Sequence, residues 1–133
     1  MSAVADAFLD TNVLLYLLSE DTNKAGRAEA LVAAGGTVSV RVLNEFAAVA
    51  ARKLGLTVAE IREILATIRA VCTVVPVDVE THDLALDLAE QYRLSIYDAL
   101  IVASALRAAC SLLYTEDFQH GQKVERLAIR NPF

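Results

Sequence analysis

An apolar stretch, residues 4–9, runs into a single carboxylate, Asp10, and an apolar helix begins directly behind it. A strand entering a core cannot carry a lone charge cheaply, because an unpartnered buried carboxylate is costly. The junction therefore predicts a strand, a turn and a helix, with an acid placed at the turn for a reason. Asp6 interrupts the strand near its start, which points to exposure on one side there.

The same alternation continues along the chain. Residues 13–18 are apolar all round and predict a buried helix. A second helix covers residues 21–34, with Ala28, Leu31 and Val32 inward, and Gly35-Gly36 stops it. Residues 37–39 form a short second strand. A third helix, residues 42–54, carries Leu43, Phe46, Ala47, Ala50 and Leu54 on one stripe and ends at Gly55. Thr57 and Glu60 make a capping box for a fourth helix that runs to Ala70. Residues 73–75 are a third strand broken by Pro76. Asp78 caps a fifth helix with Leu84, Leu88 and Tyr92 on one face. Ser95 and Asp98 open a sixth helix through Ala109, whose Ala99, Leu100, Val102, Ala103 and Leu106 suit a tightly packed central position. Residues 112–114 are a fourth strand, and residues 124–129 a last, edge strand.

Strands alternating with helices imply an α/β fold, here a three-layer α/β/α sandwich with a mainly parallel central sheet. No linker, repeat or low-complexity tract divides residues 1–133, so the chain reads as a single domain. In open parallel sheets, ligands bind outside the carboxyl ends of the strands. Asp10 and Asp117 fall just after strands and Asp98 at a helix start, which are places on one sheet edge.

Each acid also has a plainer reading. Asp10 suits an N-cap. Asp98 is the third residue of a capped helix and is favoured there by the helix dipole. Asp117 could close a turn after the fourth strand. Glu45 lies off the apolar stripe, four residues after Arg41, as in a surface ion pair. Taken together, four carboxylates from four regions near one edge would repel each other unless a hard cation joins them. Oxygen-only donors favour Mg²⁺ or Mn²⁺. Asp10, Asp98 and Asp117 are the expected metal ligands, with Glu45 completing a catalytic quartet. Asn12, two residues after Asp10, adds a polar side chain able to orient that carboxylate or a bound water; Glu116 points away from the primary site. Such a centre suits in-line attack on an RNA phosphodiester.

Other chemistry lacks its residues. Cys72 and Cys110 are isolated, read as two buried thiols of a cytoplasmic protein, and neither has a second ligand at zinc spacing. His82 reads as an exposed helix residue and His120 as part of a turn. There is no phosphate-binding glycine loop. No apolar run reaches the roughly 18 residues of a membrane span, and no signal-peptide pattern opens the chain. The net charge of −5 argues against a simple electrostatic nucleic-acid binder, but not against carboxylates that hold metal facing phosphate. Nine of the twelve cations are arginine, the type suited to phosphate.

Several pieces then match a known pattern in order: Phe8-Leu9-Asp10-Thr11-Asn12-Val13-Leu14, Leu43-Asn44-Glu45-Phe46, the run from Tyr97-Asp98 to Ala105, Tyr114-Thr115-Glu116-Asp117-Phe118, and Leu127 to Phe133. The sequence resembles the PIN-domain ribonucleases, and more narrowly the VapC-type toxins of toxin–antitoxin modules. The resemblance implies a three-layer α/β/α fold and Mg²⁺- or Mn²⁺-dependent endoribonuclease activity. It implies an acidic quartet at Asp10, Glu45, Asp98 and Asp117, with Thr115 and Asn12 in support. It also implies a homodimer inhibited by a cognate antitoxin whose basic segment covers the acidic pocket. Three alternatives remain: a PIN-like module that only binds RNA or a partner, a receiver-like signalling domain, and a dehalogenase-type phosphatase. The receiver needs an acidic pair after strand one and a phosphoacceptor after strand three, where Asp78 reads better as a cap. The phosphatase needs Asp-x-Asp, and Asn12 holds the second position.

Overall fold

A computed structural model describes residues 7–118 and 120–133. Among them are six strands in one sheet, β1 (Ala7–Leu9), β2 (Thr37–Ser39), β3 (Thr73–Val75), β4 (Leu112–Tyr114), β5 (Lys123–Val124) and β6 (Leu127–Arg130), in the spatial order β3-β2-β1-β4-β6-β5. Only β5 runs antiparallel. Six helices connect them: α1 (Thr11–Leu15), α2 (Thr22–Ala33), α3 (Val40–Leu54), α4 (Val58–Val71), α5 (Val79–Tyr92) and α6 (Ile96–Arg107). This is the mainly parallel α/β architecture that the alternation predicts.

Why β1 sits in the middle follows from its sequence. Ala7, Phe8 and Leu9 are all buried, as a strand covered on both faces requires. The edge strand β3 has no fully buried residue. The chain builds outward from β1 through β2 to β3, then returns to lay β4 on the other side of β1. The order therefore reverses between β1 and β4, and such a switch point opens a crevice at the carboxyl ends of the strands. Leu9 is paired with Tyr114, so the next residues, Asp10 and Thr115, emerge side by side into that crevice.

Around this frame, α6 is buried from Ile101 to Leu106 and at Ala99, with its first turn and last residue reaching the surface. Its alanines allow close packing against β4, β6 and α5. The glycine pair after α2 has two distinct tasks. Gly35 takes φ +79° at the helix end, and a Cβ on Gly36 would lie 3.0 Å from the Ala7 carbonyl, a tight contact that glycine avoids where this turn approaches β1. No helix among the described residues is long and apolar enough to cross a membrane.

Several expectations need correction. The first part of the predicted opening strand, residues 4–6, lies outside the described residues. The apolar run 13–18 is not one buried helix: α1 stops at Leu15, a 3-10 turn covers Tyr16–Leu18, and only Val13 and Leu14 are fully buried. Helix α3 begins two residues early, because the Ser39 hydroxyl accepts from Val42 N and caps it. Its buried seam is Val42, Phe46 and Ala50. Leu43 and Ala47 flank that seam, and Leu54 is 49% exposed. On α5 the buried residues are Thr81, Ala85 and Leu88, with Leu84 and Tyr92 beside them. Helix α6 ends at Arg107 rather than Ala109. The predicted edge strand 124–129 is a hairpin: the chain turns at Glu125 (φ +54°) and Arg126, so β6 lies inside the sheet and β5 forms the edge.

Candidate active site

Asp10 is 4% exposed and caps α1 from the end of β1. One carboxylate oxygen accepts from Thr11 N at 2.7 Å and the other from the Thr115 hydroxyl at 2.7 Å. Thr115 is itself fully buried, at the end of β4. Its oxygen accepts from the Asn12 side-chain nitrogen (3.3 Å) and from Asp117 N (3.0 Å). A hydroxyl has one proton and two lone pairs. With both lone pairs taken, its proton is committed to Asp10. Asn12 Oδ1 accepts from Glu116 N at 3.3 Å, which fixes the amide and the 115–117 turn together. Asn12 and Thr115 thus join the ends of β1 and β4 around Asp10.

The other acids arrive from separate elements. Asp117 is exposed on the turn after β4. Asp98 is half-buried in the first turn of α6, its N–H donating to the Ser95 hydroxyl at 3.1 Å. Glu45 lies on α3, where its carboxylate meets the Arg41 guanidinium at 2.9 Å, the ion pair that the sequence spacing suggests. Glu116 turns aside, as read from the sequence, and both its oxygens accept from the Tyr16 hydroxyl at 2.9 and 2.8 Å. That tyrosine packs on Phe133, with ring centroids 4.3 Å apart. The Tyr16–Glu116 bond gives the 115–117 turn an anchor with no periodic or motif signal to announce it.

Electrostatics tie the four acids into one neighbourhood. Burial pushes the Asp10 carboxyl up to about 6, against the lowering pull of its Thr115 and Thr11 hydrogen bonds, and the Asp117 and Glu45 charges push it further. Asp98 is also raised, first by burial, with Asp117 and Glu45 again adding repulsion while Ser95 and Arg41 oppose it. Among the described residues no cation pairs with Asp10.

The donors are all carboxylate oxygens, the set that hard divalent cations prefer. Each Asp10 oxygen keeps a lone pair beyond its one hydrogen bond, and next to it the buried Thr11 hydroxyl has no hydrogen-bond partner. In chemical type the residues fit such a cation. Among the described residues, no three acidic, His or Cys side chains are grouped to hold one as they stand. Cys72 and Cys110 are both buried, His82 and His120 are exposed, and His120 Nδ1 accepts from Asn131 N at 3.0 Å. A cleft of about 340 Å³ adjoins the acids at Asn12 and Glu116, with Tyr16, Val49 and Lys53 among its walls.

The PIN domain model matches residues 7–125. The chain belongs to the PIN domain family. Solved structures share this PIN fold along nearly the whole chain. A toxin–antitoxin complex from Klebsiella pneumoniae matches at 22% identity over 96% of this chain and 98% of that one, with a TM-score of 0.71. VapC20 from Mycobacterium tuberculosis, a toxin that cleaves the sarcin–ricin loop, matches at 21% identity over 84% and 89%, with a TM-score of 0.64. VapBC2 from Rickettsia felis, bound to a promoter DNA fragment, matches at 18% identity over 94% and 97%, with a TM-score of 0.67. At such identities the likeness is one of fold. No curated protein matches the sequence significantly.

Proposed function

We propose that this PIN domain is a Mg²⁺- or Mn²⁺-dependent endoribonuclease and the toxin of a toxin–antitoxin pair. Asp10, Asp98 and Asp117 hold the metal, Glu45 completes the catalytic quartet, and Asn12 and Thr115 support it. The observation that carries this reading is Asp10: a buried acid at the sheet's switch point, raised to about 6 and facing other carboxylates, with no cation paired to it among the described residues. A site in that condition stabilises a bound cation by relieving its own repulsion.

When bound, the metal supplies Lewis acidity, lowering the pKa of a water and offsetting charge on the phosphate. The chain's own residues prepare for it. Thr115 and Thr11 N orient the Asp10 oxygens. Asn12 keeps Thr115 in its donor role and fixes the turn that carries Asp117. Ser95 holds the first turn of α6, and with it Asp98. Arg41 pairs with Glu45 and offsets its charge.

The fold neighbours that are toxin–antitoxin complexes support an antitoxin as partner here. The net charge of −5 favours a basic antitoxin segment over the acids, and a homodimer fits the family. Cleavage of a mixed structured RNA by partner-free protein, with Mg²⁺, Mn²⁺ or EDTA, tests the reading beside Asp98→Asn. Metal-dependent cutting lost in the variant supports it. Folded protein that cuts under none of these conditions, yet binds RNA or a partner, overturns it in favour of a silent binding module.

A further inference from the structure

One aromatic ring beside the acids contributes little to packing. Tyr97, the residue before Asp98, is 63% exposed. The other tyrosines have tasks: Tyr16 bonds Glu116, the Tyr92 hydroxyl accepts from Glu125 N, and Tyr114 packs on the core from β4. The Tyr97 ring is nonetheless held. The Arg41 guanidinium lies 4.8 Å from its centroid, and the same guanidinium is tied to Glu45 at 2.9 Å. Arg41 also acts on the Asp98 charge. A cation on one face of the ring, anchored to one acid and close to another, leaves an exposed aromatic surface next to the quartet.

We infer that Tyr97 is a stacking platform for a base of single-stranded RNA beside the bond cut at the acids, with Arg41 as the residue that positions the ring. This rests on the nuclease reading above. A chain of net charge −5 with acids at its centre gains little from general attraction to phosphate. Stacking requires no charge, and every base has a face for it. A tyrosine has few rotatable bonds, and one already pinned by a guanidinium loses little freedom on binding. Stacking needs an unpaired base, so the platform selects loops and single strands over duplex.

The test uses the full chain as Tyr97→Phe, Tyr97→Leu and Tyr97→Ala. Three readouts are taken: KM and kcat for RNA cleavage, quenching of a fluorescent adenine analogue in a short single-stranded RNA with EDTA present, and binding of an oligo-arginine peptide. The Phe variant should match the parent in all three. The Leu and Ala variants should raise KM about 5- to 150-fold at unchanged kcat and lose the quenching. Parent-like KM and quenching in Tyr97→Ala, while cleavage persists, overturns this inference and leaves the nuclease reading standing. A fall in kcat alone also overturns it, since the ring would then only support Asp98. Unchanged RNA binding with weakened binding of an oligo-arginine peptide assigns the ring to a protein partner and overturns it too. Neither cleavage nor quenching by the parent sinks the nuclease reading, and this inference with it.

Discussion

Two strand–helix junctions of this molecule look alike and behave in opposite ways. Asp10 follows β1 and caps α1; Asp78 lies three residues past β3 and caps α5. Each accepts a backbone N–H and a threonine hydroxyl, the hydroxyl at 2.7 Å in both. Yet the Asp10 carboxyl is pushed up to about 6 and the Asp78 carboxyl is held below its ordinary value, chiefly by its bonds to Thr81 and then by Arg107. The hydrogen bonds are not what separates them. Asp10 leaves the central strand at the switch point, where burial and other acids surround it. Asp78 leaves the edge strand, where it is exposed and meets Arg107 at 3.4 Å. Both aspartates are caps, and only its place in the sheet makes Asp10 a candidate for chemistry.

The comparison breaks most sharply by swapping each acid for its amide. Asp10→Asn should leave a folded protein whose RNA cleavage is lower by more than about 100-fold, beyond the cost of losing a supporting partner. Asp78→Asn should leave cleavage unchanged and weaken only the start of α5, seen as a lower melting temperature. Retained activity in Asp10→Asn would remove the distinction.

The threonines sharpen it next. Thr115→Val removes the donor that orients Asp10 and unbinds Asn12 and Asp117 N. A loss of about 10- to 100-fold in activity or metal affinity is expected by kinetics and calorimetry. Thr81→Val at the other junction should leave both unchanged.

The pH dependence of metal-free stability follows from the shifts. A carboxyl raised in the folded state holds its proton more tightly there than when unfolded. Asp10 therefore destabilises the fold above about 6 and ceases to do so as pH falls toward its ordinary 3.8. The full difference is about 3 kcal/mol. Asp98 acts in the same direction, while Asp78 and Glu60, both lowered, lose their stabilising effect only as pH falls below the ordinary carboxylate range. Metal-free protein should melt at higher temperature as pH drops from 7 to 5, and Asp10→Asn should flatten the curve. The smallest effect belongs to Arg107→Gln, which breaks an exposed pair at the edge junction. A slight stability change with full activity is expected.

Much of the fold could be read from residue order, because its signals are local. The bounds of β2, β3 and β4, the Thr57–Glu60 box and the Asp78 cap all come from short patterns. The β5–β6 turn escaped because Glu125 takes a positive φ without the glycine or asparagine that marks such turns. The run 13–18 misled because continuous apolarity does not say which side faces the core; Leu15, Leu17 and Leu18 lie at its margin. Of the candidate site, the acids and the support from Asn12 and Thr115 were legible as types and positions. Asp78 as a cap and Asp10 as a site acid were also legible, but the opposite shifts of their carboxyls were not, since those depend on strand order and burial. Nor was the Arg41–Tyr97 contact, which spans two helices far apart in sequence.

The most direct measurement is RNA cleavage by partner-free protein in Mn²⁺, with Asp10→Asn and Asp78→Asn assayed in parallel and an EDTA control. The account predicts cutting by the parent and by Asp78→Asn, none in EDTA, and almost none by Asp10→Asn. Undiminished cutting by Asp10→Asn, or cutting that EDTA does not stop, would contradict it.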